Sequence, residues 1–265
     1  MSQPLNLPPE IVGYTHPQRL GRPVAIYHPK RLAAWRLVLL LLFTLGSFAL
    51  ALLFLANAPT TTWPAALIFL GCTALFLVIL LRAPNFNPRR AARRVYVFEY
   101  GLLYADGSGA LAEYPWYTIM SVQQKIVERY VNGVHTGTTY LYTITRNDGN
   151  VLKLTEFFDG IAQLGQGISQ QVTQIHLPHA VAAVQRGETV PFGDLAVNAA
   201  GVVSTRHGLL PWAELDEVRV VQGYVRLRKA GKWLPWSHKP AAEIPNLFVF
   251  LTLADQLQRA AHGQR

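Results

Sequence analysis

A chain of 265 residues that is 51% hydrophobic and carries a formal charge of +9 lies between a soluble and a polytopic membrane protein in composition, room enough for a membrane segment and two small domains. Its one cysteine, Cys72, excludes an internal disulfide and any multi-cysteine metal centre. The basic excess is densest beside the most apolar stretch: residues 1–36 hold five Lys and Arg against one acid, while residues 83–265 hold 18 against 14. That placement reads as an orientation and lipid signal and argues against nucleic acid as a partner.

Residues 1–31 contain Pro4, Pro8, Pro9, Pro17, Pro23 and Pro29, which fix φ and remove donors. They predict an extended arm, with Val24 to Tyr27 as a short strand. No basic segment leads directly into an apolar core there, so no cleaved signal is expected. Residues 32–82 read as a transmembrane helical hairpin. Leu37 to Ala56 and Trp63 to Leu81 are charge-free runs of 20 and 19 residues, and at about 1.5 Å per residue each crosses the roughly 30 Å hydrocarbon layer. Asn57 to Thr62 form the predicted loop, also uncharged. Lys30, Arg31 and Arg36 precede the hairpin, and Arg82, Arg89, Arg90, Arg93 and Arg94 follow it. The positive-inside bias therefore places both termini in the cytoplasm, with the second cluster, Trp35 and Trp63 at the lipid interfaces. Helix packing is an equal reading for the two tryptophans.

Ala83 to Pro88 break the second span and open a basic linker, 83–94. A first domain follows at 95–187. Val95–Tyr100, Leu102–Tyr104, Thr118–Val131, Thr138–Thr145 and Val151–Thr155 alternate as strands, with turns at Asp106-Gly107, Asn132-Gly133 and Asn147-Asp148-Gly149. Ile161, Leu164, Ile168, Val172 and Ile175 then recur at helical spacing, with Asp159 placed to cap; Pro178 ends that helix and Val181 and Val184 open a second short one. A second domain spans 188–265. Its predicted strands are Phe192–Val197, Gly201–Val203, Val218–Val221, Tyr224–Leu227 and Trp233–Trp236, and Ile244–Ala261 is a closing helix with Pro245 near its start.

The two domains align. Gly101-Leu102-Leu103 and Gly201-Val202-Val203 are followed by Pro115-Trp116-Tyr117-Thr118-Ile119 and Pro211-Trp212-Ala213-Glu214-Leu215, which predicts a duplicated barrel-plus-helix unit with one core tryptophan per copy. On these residues the chain resembles bacterial, membrane-anchored pleckstrin-homology-like domains, in which Trp-x-x-Ile follows the first hairpin and a C-terminal helix plugs the barrel. More closely it resembles a family classed only as a domain of unknown function. The residues that carry this likeness are Leu20 to Tyr27, Tyr130 to Val134, Gly187 to Gly193 and Ile244 to Leu251. The resemblance implies an α+β membrane protein, a helical hairpin followed by two such domains. It departs from phosphoinositide-binding members, because Glu99-Tyr100-Gly101 and Asn198 to Gly201 lack the basic first hairpin.

Catalytic signals are sparse. His176 and His179 lack a third ligand in reach and read as solvated helix-end residues. Asp216 and Glu217, adjacent in a strand, point to opposite faces. Gly160, Gly165 and Gly167 lack the Gly-Lys-Ser/Thr ending of a phosphate loop and read as helix glycines. We therefore expect no enzyme, no cofactor and no metal. The basic-aromatic stretch holding Arg228, Lys229, Lys232, Trp233, Trp236 and Lys239 is the ligand-face candidate, for anionic lipid or an acidic peptide; a hairpin with buried tryptophans and a solvated basic face is the plainer reading. The expectation is a membrane-anchored, non-catalytic adaptor binding a protein partner or anionic lipid. The alternative is an enzyme or an accessory subunit of a membrane enzyme complex.

Overall fold

A computed structural model describes residues 7–16, 19–57 and 59–263. It is an α+β chain in which two long apolar helices are followed by antiparallel sheets and a closing helix. The arm is not wholly extended: α1 (Pro9–Val12) is one helical turn and β1 (Pro23–Tyr27) is the expected strand. Pro4 and Pro17 of the predicted arm lie outside the described residues.

Two compact units divide the chain, residues 26–96 with 103–112, and residues 1–25, 97–102 and 113–265. In the former, α2 (Ala34–Asn57) and α3 (Pro59–Arg82) pair. Both are long and apolar enough to cross a membrane. Small residues make the seam: Ala51 and Ala66 are buried, and the Ser47 and Thr73 hydroxyls lie 2.9 Å apart. Close approach at small residues and an interhelical hydrogen bond join the two helices. Phe43 stacks on Phe76 and Phe54 on Phe69, while most of the large side chains point outward. The predicted six-residue loop is shorter, because Pro59 begins α3 at a position where its missing N–H costs nothing; Ala58 lies outside the described residues. Within the linker, Asn87 accepts a hydrogen bond from the Arg90 amide (3.0 Å) and starts the short helix α4 (Pro88–Ala92).

Strands β1, β2 (Arg94–Phe98), β3 (Gly101–Ala105) and β4 (Leu111–Pro115) pair in that order. A 3₁₀ turn at Trp116–Thr118 leads into the sheet β5 (Ile119–Val131), β6 (Val134–Arg146) and β7 (Val151–Thr155), then α5 (Ile161–Gln185). The same succession returns: β8 (Val190–Phe192), β9 (Leu195–Val197), β10 (Gly201–Ser204) and β11 (Gly208–Pro211), a 3₁₀ turn at Trp212–Glu214, β12 (Leu215–Val221), β13 (Tyr224–Lys229) and β14 (Ser237–Pro240), then α6 (Leu247–Gly263).

The matching motifs have matching geometry. Trp116 and Trp212 are 3% and 4% exposed. Their Nε1 atoms donate to the carbonyls of Glu99 (3.1 Å) and Asn198 (3.0 Å), and their amides donate to those of Tyr100 and Ala200. Gly101 and Gly201 precede each tryptophan in space as well as in sequence: a Cβ on either would run into the backbone of the Tyr114-Pro115 or Leu210-Pro211 pair. The motif glycine is thus a close approach of two strands.

Helix α5 corrects two expectations. Asp159 does not cap it. Gly160, at φ +68°, occupies that position, and the Asp159 carboxylate only accepts from the Gly160 amide. Nor does Pro178 end it, although an interior proline costs about 3 kcal/mol in a helix. Beyond Pro178, Ala180 and Val184 are buried in the core of Phe192, Val202, Leu227 and Phe250, with Leu177 and Val181 packed alongside. That burial offsets the lost bond, so one helix serves both β successions, its first half burying Ile161, Leu164, Ile168 and Val172. Gly165 is explained by packing, since a Cβ there would overlap the Tyr142 ring, whereas Gly167 faces open space. Gly167→Ala should therefore stabilise by up to about 1 kcal/mol. Gly165→Ala should destabilise by about 1–2 kcal/mol through overpacking despite the same propensity gain. Thermal unfolding of the pair checks this, and equal shifts of the same sign would refute it.

Two further expectations shift. Trp233–Trp236 is not a strand: the chain turns at Gly231 (φ +71°), Pro235 has no amide to give a ladder, and pairing resumes when the Trp236 amide meets the Leu227 carbonyl at 2.7 Å. The last helix begins at Leu247, so Pro245 lies before it.

Candidate interaction surfaces

The basic collar after the hairpin separates into two sets. Arg82 and Arg89 are exposed. The half-buried arginines bind main chain: Arg90 donates to the Arg82 carbonyl (2.7 Å), Arg93 to Asp106 (3.1 Å), and Arg94 to Ala91 and Arg93. Arg82, Arg89, Arg90 and Arg94 make no ion pair with a carboxylate among the described residues. Trp35 and Trp63 are exposed, and the Arg36 guanidinium sits 5.1 Å over the Trp35 ring, a cation–π contact of about 0.5–1 kcal/mol. Both flanks of the hairpin are tied, the Leu32 amide donating to the Asn85 side chain at 2.9 Å.

The ligand-face candidates are not brought together. Arg228 is paired with Asp216 (2.7 Å) and Glu217 (3.5 Å), Lys229 with Glu214 (2.5 Å), and Lys239 with Asp194. Hydrogen bonding from the Lys239 ammonium holds the Asp194 carboxyl below the usual carboxylate range. Asp216 and Glu217 reach one arginine, contrary to simple alternation, because a bulge between Leu215 and Glu217 re-aims the strand. Trp236 packs against the second core and lies 5.5 Å from the His207 ring. What remains is one loop tip: Lys232, with no ion pair among the described residues, beside Trp233 at 93% and Leu234 at 79% exposure. An indole exposed to that degree contributes nothing to the fold, and an amphipathic ring beside a cation fits a lipid interface or an apolar partner.

The histidines separate too. His176 is not solvated: its Nε2 donates to the Ile119 carbonyl at 2.7 Å and fastens α5 to β5. His179 is exposed. Among the described residues no group of three or more His, Cys, Asp and Glu could hold a metal.

A third surface escaped the sequence reading. The β5–β6 ribbon runs 13 residues a side, against 7 and 6 for β12–β13. β7 covers only the Leu141 to Thr145 part of β6, leaving a two-stranded arm with Ile126, Val127, Tyr130, Val131 and Val134 exposed. One side of the arm forms a groove of about 790 Å³ with Val220, Tyr224, Ala241, Ala242 and Leu247. The signal was present as a spacing: 16 positions from Trp116 to the Asn132-Gly133 turn, but ten from Trp212 to Gln222-Gly223. β5 exceeds β12 by six residues, an even number that keeps its alternation of faces, and β6 exceeds β13 by seven, with a register shift between Arg129 and Tyr130 in the ribbon.

A family profile described as Family of unknown function (DUF6585) matches residues 1–262. The chain belongs to DUF6585. Neither curated proteins nor solved structures yield a match. Membership in DUF6585 brings no reaction with it, and the surfaces above carry the functional argument.

Proposed function

We propose that this DUF6585 chain is a membrane-anchored, non-catalytic adaptor of a bacterial inner membrane, presenting two tandem pleckstrin-homology-like domains at the cytoplasmic face to a protein partner or anionic lipid. The observation that carries the reading is the pair α2 and α3: two charge-free helices of membrane length, apolar on their outward faces and flanked by arginines on the side where the chain enters and leaves. Such helices have no reason to stay in water, and arginine flanks keep both ends cytoplasmic. The exposed Trp233 loop and the groove along β5 support binding as the work of the remainder.

Cysteine labelling in intact cells tests topology, with Cys72→Ala as background and single cysteines at Thr61→Cys and Ser204→Cys. An impermeant reagent should label position 61 and leave position 204 dark until the cells are opened. The reverse pattern overturns the orientation, and extraction of the chain by alkaline carbonate overturns the anchor.

A further inference from the structure

We propose that the edge of β5 from Gln124 to Glu128 is a strand-addition site that takes an extended partner segment with apolar side chains at alternate positions. The inference rests on the adaptor reading only in supposing that the natural occupant is a protein.

The first part of this edge is already used in that way by the chain itself. The Asn246 amide donates to the Val122 carbonyl (2.9 Å), the Asn246 Oδ1 accepts from the Val122 amide (2.9 Å), and its Nδ2 donates to the Met120 carbonyl (2.8 Å). Val122 therefore turns both main-chain groups away from β6. Pairing with β6 is regular from Val122 to Arg129, with no bulge between, so alternation turns the groups of Gln124, Ile126 and Glu128 to the same free side. Among the described residues none of these six groups has a partner. The groove begins where Asn246 leaves off.

What would fill it follows from the chemistry. The free groups form a row of donors and acceptors with a period of about 7 Å over about 14 Å, a spacing that a second extended backbone of four or five residues reproduces and a lipid chain or compact metabolite does not. The facing wall is mainly apolar, Val220, Tyr224, Ala241, Ala242 and Leu247 with Gln222 among them, and alternate side chains of an added strand reach it. A volume of about 790 Å³ lies in the range of sites that bury most of a ligand of that size. The edge also lacks the usual protections: it has no proline, and its one lysine, Lys125, pairs across the ribbon with Leu141.

The test uses the full chain in nanodiscs and a phage-displayed library of random dodecapeptides, counter-selected on an Ile126→Pro variant. Proline is tolerated on an edge strand where the lost N–H faces outward, so the variant should keep its circular dichroism and unfolding temperature while removing one donor and filling its place. Enriched peptides should alternate apolar and polar residues, bind I126P about tenfold or more weakly, and bind Ile126→Ala, which keeps the donor, more tightly than I126P. Synthetic copies of the enriched peptides, N-methylated on alternate amides, need no variant: one set of methyl groups should abolish binding and the other leave it. Binding that survives both sets, equal binding to I126P, or a selection that enriches nothing overturns the proposal. So does a dimer of the full chain that I126P dissolves, which would give the edge to a second copy. Each of these leaves the labelling result for the membrane anchor untouched, and a failed anchor leaves peptide binding intact.

Discussion

Alanine at Trp116 or Trp212 should destabilise the protein by about 3–5 kcal/mol each. Each indole is almost fully buried and also holds a main-chain carbonyl across its sheet, so truncation leaves a large void and orphans the acceptors at Glu99 and Asn198. Domains of this size have about 5–15 kcal/mol to lose, so either change brings its domain to the edge of unfolding. Phenylalanine at the same positions keeps most of the burial and loses only the Nε1 bond, for about 1 kcal/mol. Limited proteolysis and thermal unfolding of the four variants distinguish the cases. Because Ala180 and Val184 of α5 are buried in the Trp212 core, Trp212→Ala should also expose cleavage sites in the second half of α5 and spare the half that carries Ile161 to Val172. Normally folded alanine variants with altered binding would instead make these tryptophans ligand residues.

The parts of the fold legible in the sequence were those with a local cause. The two charge-free runs became α2 and α3, Asn132-Gly133 and Asn147-Asp148-Gly149 became tight turns, and the paired Gly and Pro-Trp motifs became the same strand-to-3₁₀ geometry twice. The failures had causes elsewhere in space. Pro178 reads locally as a stop, but a second core, distant in sequence, packs on the residues after it. The segment Trp233–Trp236 reads as a strand by composition, but a turn at Gly231 and a proline at 235 decide otherwise. The ligand face read as a basic patch because its carboxylate partners come from elsewhere: Asp194 from the β8–β9 turn, Glu214 from the 3₁₀ turn, and Asp216 and Glu217 from the bulged start of β12. Of six candidates there, Lys232 and Trp233 are the two that neither pair with a carboxylate nor pack on a core among the described residues. The β5 groove needed an edge, a facing wall and a missing third strand, and none of these is local.

Asn246 should be the costliest single polar residue to lose. It lies in the left-handed region at φ +51°, where asparagine is tolerated and alanine costs about 1–2 kcal/mol, and its side chain makes two hydrogen bonds to β5, worth about 0.5–1.5 kcal/mol each. Asn246→Ala should therefore cost about 2–5 kcal/mol. Asn246→Gly adopts the same φ freely and loses only the hydrogen bonds, so the difference between the two variants isolates the backbone strain. Stability alone would not show where the loss falls, but amide exchange does: the Val122 amide, held by Asn246 Oδ1, should be protected in the unchanged chain and exchange faster in both variants, while Gln123, which pairs within the ribbon with Thr143, should keep its protection. If Val122 exchanges at the same rate in all three proteins, Asn246 does not hold that edge. If it exchanges faster and Gln123 does not, the start of α6 closes the near end of β5, and the free groups from Gln124 onward begin where that closure stops.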